Sequence, residues 1–236
     1  MNKRYLLLSL SFLSTMYGRT CCPPGIDDHI LVRADGMYLR RSNFPERTLA
    51  QNTAITDANG NPKSVIKSEN LAGHWDWKPG YYGNLTYFKS EKSSVEALYY
   101  YVLPWHAREV TGAAASLAFP FHDSTFTTDF INASFVEAKY ISQLQNGEFN
   151  LWRHLTPRRI NYFSASWILG FRFMYLGEKL RLTYTQSSNV SDYDIKARNY
   201  LYGLQLGGVL EINPGPRWTW TVIIKGAGFA NEAFSK

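Results

Sequence analysis

The basic side chains of the C-terminal half are the residues whose type and spacing could carry chemistry. If that half is β structure, alternate residues share one face, and a polar face then collects many cations and fewer acids. A basic pore lining favours anions, so this face predicts a narrow pore that small anionic solutes could use. Paired with acids, the same charges would instead fill a narrow barrel, and both alternatives stay open. The predicted lumen-lining residues are Arg172, Lys179, Arg181, Glu211, Arg217 and Lys225, with Glu96 and Glu137 as further acids.

Sequence patterns of enzymes and metal sites are missing. The histidines have no metal-ligand spacing, and the adjacent pair Cys21 and Cys22 makes no zinc pattern. No Gly-x-Ser-x-Gly or phosphate-loop motif occurs. The segment from His74 to Trp77 is better explained by interfacial aromatic residues beside a solvated Asp76. We therefore expect neither an enzyme nor a bound cofactor or metal.

The elements that must position the charged face are predicted strands. In residues 162–175 every second side chain is apolar, from Phe163 to Tyr175, and most of the intervening ones are small or polar. A tilted strand crosses the hydrocarbon core with about 9 to 11 residues, so the segment is long enough to span a bilayer. A soluble antiparallel sheet also alternates, and this segment alone does not distinguish the two. The predicted lipid-facing residues are Trp167, Leu169, Phe171, Phe173, Trp218 and Trp220.

Turn signals divide the chain into about nine strands. We expect a hairpin turn at residues 176–178 leading into a strand over 179–185, and another at Asn146-Gly147 between strands over 130–144 and 148–154. Short turns near Ser90, Asn146, Gly177 and Pro214 then alternate with longer connections over 42–79, 103–128, 155–161 and 186–197.

Such sorting is typical of outer-membrane barrels, whose turns are short on the periplasmic side. The sequence therefore predicts an all-β, antiparallel up-and-down transmembrane β-barrel of about nine or ten strands over residues 29–236. A strand over 217–229 would make the count odd, whereas bacterial single-chain barrels have an even number. Either the strand count is wrong by one or the barrel lacks one or more closing strands at the C-terminus, and we expect the second.

The N-terminus has the pattern of a secretory signal peptide. Lys3 and Arg4 precede an apolar run over residues 5–17, which is too short to span a membrane as a helix, and Gly18 follows. We expect a signal peptide over 1–20 with cleavage near residue 18, and a flexible segment over 21–28. The alternative is a short buried helix or strand at the start of a cytosolic protein.

The net charge of +6 does not indicate nucleic-acid binding. Three basic residues, Lys3, Arg4 and Arg19, lie in or beside the predicted signal peptide, and the remainder are scattered. Aromatic residues make up 16% of the chain, which suits a barrel with interleaved apolar and polar side chains.

Several segments together resemble the bacterial BBP-type outer-membrane β-barrel family. The resemblance covers most of the chain after the signal peptide and is carried most clearly by residues 169–173 and 199–206, with support from 31–38, 79–99 and 143–152. It implies a cell-envelope barrel, and family members look longer, with further strands after a segment like 224–231.

These patterns lead to a functional expectation. We expect an outer-membrane protein with a structural or surface-interaction role, in contact with outer-membrane lipids and the barrel assembly machinery. A narrow basic pore is one form of that expectation. The alternative is a secreted soluble β-barrel that binds a small ligand.

Overall fold

The computed structural model describes residues 29–40, 47–72, 77–120, 129–155, 162–187, 189–215 and 218–235. The predicted signal peptide, residues 21–28, most of the segment from His74 to Trp77, and Arg217 lie outside these residues. The described chain is all-β, with one short helix. Its elements are β1 (His29–Leu39), β2 (Thr48–Thr56), β3 (Pro62–Lys67), α1 (Ser68–Ala72), β4 (Lys78–Ser90), β5 (Ser93–Ala118), β6 (Ala133–His154), β7 (Phe163–Thr185), β8 (Val190–Gly215) and β9 (Trp218–Ser235).

The strands form one antiparallel up-and-down sheet in the order β1-β4-β5-β6-β7-β8-β9. The segment 48–72, called the insert below, contains β2, β3 and α1 and lies beside this path. Its strand pairing with the sheet joins Gln51 and Asn52 to Ala118 and Leu117 at the end of β5. We call this end of the sheet the insert end, and the end where β4 turns into β5 at residues 91–92 the turn end.

The predicted hairpin at Gly177 is wrong, because β7 runs unbroken from Phe163 to Thr185. Gly177 lies within the strand and pairs with Gln143 on β6 and Arg198 on β8. The apolar row changes face here: it occupies the odd positions before Gly177 and the even positions, such as Leu180, after it. The pattern that predicted a turn is therefore a change of the apolar face along one continuous strand.

The predicted turn at Asn146-Gly147 is also wrong, because both residues lie within β6. A two-residue hairpin of this type needs positive φ at both central residues. Among the described non-glycine residues, only Asn132 has a positive φ. The Asn146 side chain accepts a hydrogen bond from Arg172 Nε at 2.6 Å, so this asparagine serves the interior of an extended strand.

The described residues contain nine strands, the expected number, but the strands divide the chain differently. The region 42–79 contains the insert, and β5 continues to Ala118 through a register shift between Val102 and Trp105. The connections at the turn end are residues 91–92, 155–162 and 216–217, and those at the insert end are 40–77, 119–132 and 186–189. Two of the four predicted short turns therefore lie inside strands.

The sheet curls strongly toward one side. Lys225 on β9 contacts Glu148 on β6 with Nζ to Oε2 at 2.7 Å, although two strands lie between them in the sheet order. In a flat sheet strands three positions apart are separated by about 14 Å. Among the described residues β1 pairs with β4 alone and β9 with β8 alone, so the pairing leaves these two strands at the edges.

A buried charge cluster and two faces that exchange character

The curl gives the sheet an inner and an outer face, and residues paired across strands share a face. Phe149, Phe171 and Leu204 are in register on the outer face, and Glu148, Arg172 and Gly203 are in register on the inner face. A further outer row, called the boundary row, crosses the middle of the sheet. It contains Tyr81, Tyr101, Gln145, Tyr175 and Tyr200. The part between this row and the turn end is the turn half, and the part beyond it is the insert half.

The outer face of the turn half is apolar and exposed. Trp167, Leu169 and Phe171 on β7 are 43%, 41% and 45% exposed, and Leu204 and Leu206 on β8 are 70% and 64% exposed. Paired positions on β6 continue the surface with Phe149 and Leu151. Large apolar side chains therefore cover the outside of several neighbouring strands.

In the insert half the outer face carries many charges. On β7 the row that held aromatic side chains continues as Lys179, Arg181 and Thr183. Arg181 donates from Nε and Nη2 to Asp194 on β8, at 2.7 and 2.8 Å. These hydrogen bonds are the main cause that lowers the pKa of Asp194 and raises that of Arg181. In the same way hydrogen bonds from Lys139 and Arg108 lower the pKa of Glu137.

Glu148 on β6 is the centre of a buried polar cluster on the inner face of the turn half. Its side chain is 5% exposed. Its Oε2 accepts hydrogen bonds from Lys225 Nζ at 2.7 Å, Gln205 Nε2 at 3.0 Å and Asn150 Nδ2 at 3.3 Å, and its Oε1 accepts one from Asn146 Nδ2 at 3.3 Å. Four strand-borne donors thus converge on one carboxylate.

Glu96 on β5 is the second carboxylate of the cluster. Asn84 Nδ2 donates to its Oε2 at 2.6 Å, and Asn150 Nδ2 donates to its Oε1 at 2.8 Å. Lys225 Nζ lies 4.0 Å from the same Oε1. Lys225 therefore lies between both carboxylates, and Asn150 bridges them.

Arg172 on β7 closes the cluster toward the middle of the sheet. Its Nε donates to Asn146 and lies 3.5 Å from Glu148 Oε1, and its Nη2 donates to the Tyr100 hydroxyl at 3.3 Å. The guanidinium carbon lies 6.0 Å from the centre of the Phe229 ring, which is cation–π distance. Arg172 is thus held by β5, β6 and β9 together.

A histidine lies nearer the turn end on the same inner face. His154 Nδ1 is 2.8 Å from Ser166 Oγ, and its Nε2 is 3.3 Å from Ser94 Oγ. His154, Ser94 and Ser166 are all buried. Their hydrogen bonds link β5, β6 and β7.

The inner face of the insert half is an apolar core. The insert contributes Leu49, Ile66 and Leu71, which pack against side chains of β5, β6 and β7. Tyr184 on β7 is fully buried and donates to the Leu49 carbonyl oxygen at 2.9 Å. Burial raises the pKa of the Tyr184 hydroxyl above its ordinary value. This half has the ordinary arrangement of a protein in water, with apolar side chains inside and charges outside.

The structure places the predicted lumen-lining residues on both faces. Arg172, Lys225 and Glu211 lie on the inner face. The prediction is wrong for Lys179 and Arg181, and also for Glu137, which lie on the outer face because β7 and β6 do not turn where hairpins were expected. Arg217 lies outside the described residues.

The predicted lipid-facing residues share the outer face as far as they are described. This group contains Trp167, Leu169, Phe171, Phe173 and Trp220. Trp218 begins β9, but its side chain is not among the described ones.

The inner face of the turn half is not predominantly basic. Its described cations are Arg33, Arg172 and Lys225, and its described acids are Asp35, Glu96, Glu148 and Glu211. Glu148 was absent from the predicted site, although the alternation of Asn146, Glu148 and Asn150 in the sequence is a polar face of one strand. Reading that segment as a turn hid the signal.

The described residues give no group of three or more His, Cys, Asp or Glu side chains that could hold a metal ion. They also contain no helix long and apolar enough to cross a membrane. Comparisons with protein-family models, with curated proteins and with solved structures found no match. The resemblance to BBP-type barrels stays a prediction from the sequence.

Proposed function

We propose that the turn half of this sheet lies in a lipid bilayer and that the chain is an outer-membrane β protein with a structural or surface role. The observation that carries the proposal is the exchange of character between the two faces at the boundary row. On the turn side of that row the exposed face is apolar and the buried face polar, and on the insert side the arrangement reverses. A strand that passes from lipid into water requires this reversal.

The length of the apolar band fits a bilayer. Residues 163–175 on β7 span about 40 Å along the strand at about 3.3 Å per residue. A tilt of about 45° reduces this to about 28 Å across the membrane, close to the hydrocarbon thickness of about 30 Å. Tyrosines at one limit of the band correspond to the aromatic girdle of outer-membrane barrels.

A soluble ligand-binding barrel is less well supported. In water a β sheet buries its apolar face, as the insert half does with Tyr184 and Leu49. The turn half would instead expose aromatic and aliphatic side chains over several strands, which in a soluble protein marks an interaction surface or an aggregation hazard.

The interior favours a structural role over a basic pore. Arg172 and Lys225 are both engaged with Glu148, and their side chains are only 12% and 16% exposed. Lys179 and Arg181, on the outer face, add nothing to a lumen. Ion pairs from Lys225 on β9 to carboxylates on β5 and β6 cross the interior, so we expect no ion conduction.

Single-cysteine labelling along one outer row of β7 tests the membrane proposal. The variants are Leu169→Cys, within the apolar band, and Lys179→Cys, beyond the boundary row, each with Cys21 and Cys22 changed to serine. After refolding into phosphatidylcholine vesicles, we expect a water-soluble maleimide to label Cys at position 179 and not at position 169. After dissolution in urea both should react equally.

Equal labelling of the two positions in the vesicles would refute the proposal. A mature chain that is monomeric and soluble without detergent would refute it as well. The outward role of the insert end is tested by the same reagent on intact cells that express Lys63→Cys, located in β3. Labelling there is expected, because longer connections in such barrels lie on the extracellular side.

A further inference from the structure

A band of cationic side chains crosses the outer face just beyond the boundary row. We call it the cationic strip, and it consists of Arg108, Lys139, Lys179, Arg181, Lys196 and Arg198. The residues are neighbours across four strands, because Arg108 pairs with Lys139, Lys139 with Arg181, and Lys179 with Lys196. Arg198 pairs with Gly177 and is the member nearest to Tyr200.

Acids on the same face balance only part of this charge. Glu137 forms ion pairs with Arg108 and with Lys139, the latter at 2.7 Å. Asp194 is 2.7 Å from Arg181 and 3.8 Å from Lys179. Two carboxylates thus form ion pairs with four of the cations. Asp192 and Glu232 are further acids on this face, so the six cations of the strip outnumber four acids. Among the described residues Lys196 and Arg198 have no acid within ion-pair distance, and both are exposed.

Three members of the strip, Lys179, Lys196 and Arg198, lie nearest the boundary row, and their height matches the headgroup layer of a bilayer. Arg108, Lys139 and Arg181 lie farther from the apolar band. Lys179 is four residues beyond Tyr175 and Arg198 is two residues before Tyr200, which gives about 7 to 13 Å along the strands. Tilt reduces this to about 5 to 9 Å beyond the apolar band. The polar headgroup layer on each side of the hydrocarbon is about 5 to 7 Å thick.

We propose that the cationic strip binds the phosphate groups of anionic lipids in the leaflet nearest the insert end. This inference rests on the proposed membrane insertion of the turn half. Arg and Lys side chains form charge-assisted hydrogen bonds with phosphate oxygens. Lys196 and Arg198 are the members with the most free donors, and Lys179, 3.8 Å from its acid, adds a third beside them.

Lipid selectivity in vesicles tests the inference. The full mature chain is refolded into phosphatidylcholine vesicles that contain trace spin-labelled phosphatidylglycerol or spin-labelled phosphatidylcholine. The motionally restricted signal of each label measures its association with the protein surface. We expect phosphatidylglycerol to associate more strongly at low salt, and the preference to disappear in high salt because exposed charges are then screened.

Charge-removing variants locate the effect. Lys196→Gln and Arg198→Gln should each reduce the phosphatidylglycerol preference by up to about five-fold for a lipid in contact with that side chain, and the double variant should reduce it further. Lys63→Gln on β3 removes one charge outside the strip and should leave the preference unchanged.

The outcomes separate the inference from the proposed function. If the chain inserts but shows equal association with both lipids, or if Lys63→Gln lowers the preference as much as Arg198→Gln, the strip is not a phosphate site and the membrane proposal survives. If the chain does not insert at all, the membrane proposal fails and the inference fails with it.

Discussion

Replacing Glu148 by glutamine should destabilise the protein by more than any exposed charge change on the same sheet. Glutamine keeps the size of the side chain but removes the negative charge that faces Lys225 and Arg172. It also turns one accepting oxygen into an NH2 group that faces the donors of Gln205 and Asn150. Buried cations and donors then lack part of their pairing.

The size of this loss of stability depends on whether Lys225 and Arg172 can find other partners. Removing one partner of a buried ion pair costs about 3 to 5 kcal/mol, because the other charge stays buried without compensation. Lys225 Nζ already lies 4.0 Å from Glu96 Oε1 and can move toward it. Arg172 keeps its hydrogen bonds to Asn146 and Tyr100. Both effects favour the lower limit, so we expect a loss of about 3 kcal/mol in the free energy of unfolding.

Urea unfolding of the chain in lipid vesicles, followed by tryptophan fluorescence, measures this loss. The matched control is Asp194→Asn, which removes a carboxylate that also contacts two cations but on the exposed outer face. Exposed ion pairs contribute little, so the control should change stability only slightly. The double variant Glu148→Gln with Lys225→Met should recover part of the loss. Equal effects of Glu148→Gln and Asp194→Asn would refute the assignment of Glu148 as the centre of a buried cluster.

Three further outcomes follow from the structure. Gly170→Ala should lower the free energy of unfolding by about 1 to 3 kcal/mol, because an added Cβ would lie 2.8 Å from the Phe149 carbonyl oxygen and against the Asn150 amide. The control Gly147→Ala should be tolerated, because its Cβ would have nothing within 4 Å. Equal urea midpoints for the two variants would contradict this. The raised pKa of Tyr184 means that folding favours the neutral form of its hydroxyl. The stability that depends on this neutral form is complete below about pH 10 and is lost as pH rises toward the native pKa. Tyr184→Phe should remove that alkaline component in pH-dependent unfolding, at the expense of about 1 kcal/mol for the bond to Leu49. Planar bilayers with the native chain should show no channel events, and anion-selective steps would restore the basic-pore hypothesis.

Strand character and face assignment were accessible from the sequence wherever one face is uniform. The row from Phe163 to Tyr175 predicted β structure, and β7 contains all of it. The strand ends were not accessible, because a change of face in the apolar pattern has two causes. A turn produces such a change, and so does one continuous strand whose apolar side chains move from one face to the other. At Gly177 the strand is continuous. The insert was missed because β2 and β3 are short and irregular, with register shifts at several points.

The cluster was only half predictable. Arg172 and Lys225 were found because alternation places both on the face opposite the apolar row of their strands. Their shared partner Glu148 was not found. The contact between side chains of β9 and β6 depends on the curl of the sheet, which alternation along single strands does not encode. Lys179 and Arg181 show the converse error, since the misplaced turn moved the side chains of the segment that directly follows it to the other face.

The curl and the cluster depend on each other. Backbone pairing connects only neighbouring strands, yet the Lys225 ammonium on β9 reaches carboxylates on β6 and β5, which are three and four positions away in the sheet order. In the insert half an apolar core, to which the insert contributes, packs against the inner face of the curled sheet. The turn half has no comparable core, because most of its apolar side chains face outward. Among its described residues, the buried apolar side chains on the inner face are Ile168 and Val209. Side-chain contacts across the interior must therefore maintain its curvature, and the loss expected for Glu148→Gln is a loss of that cross-connection as well as of an ion pair.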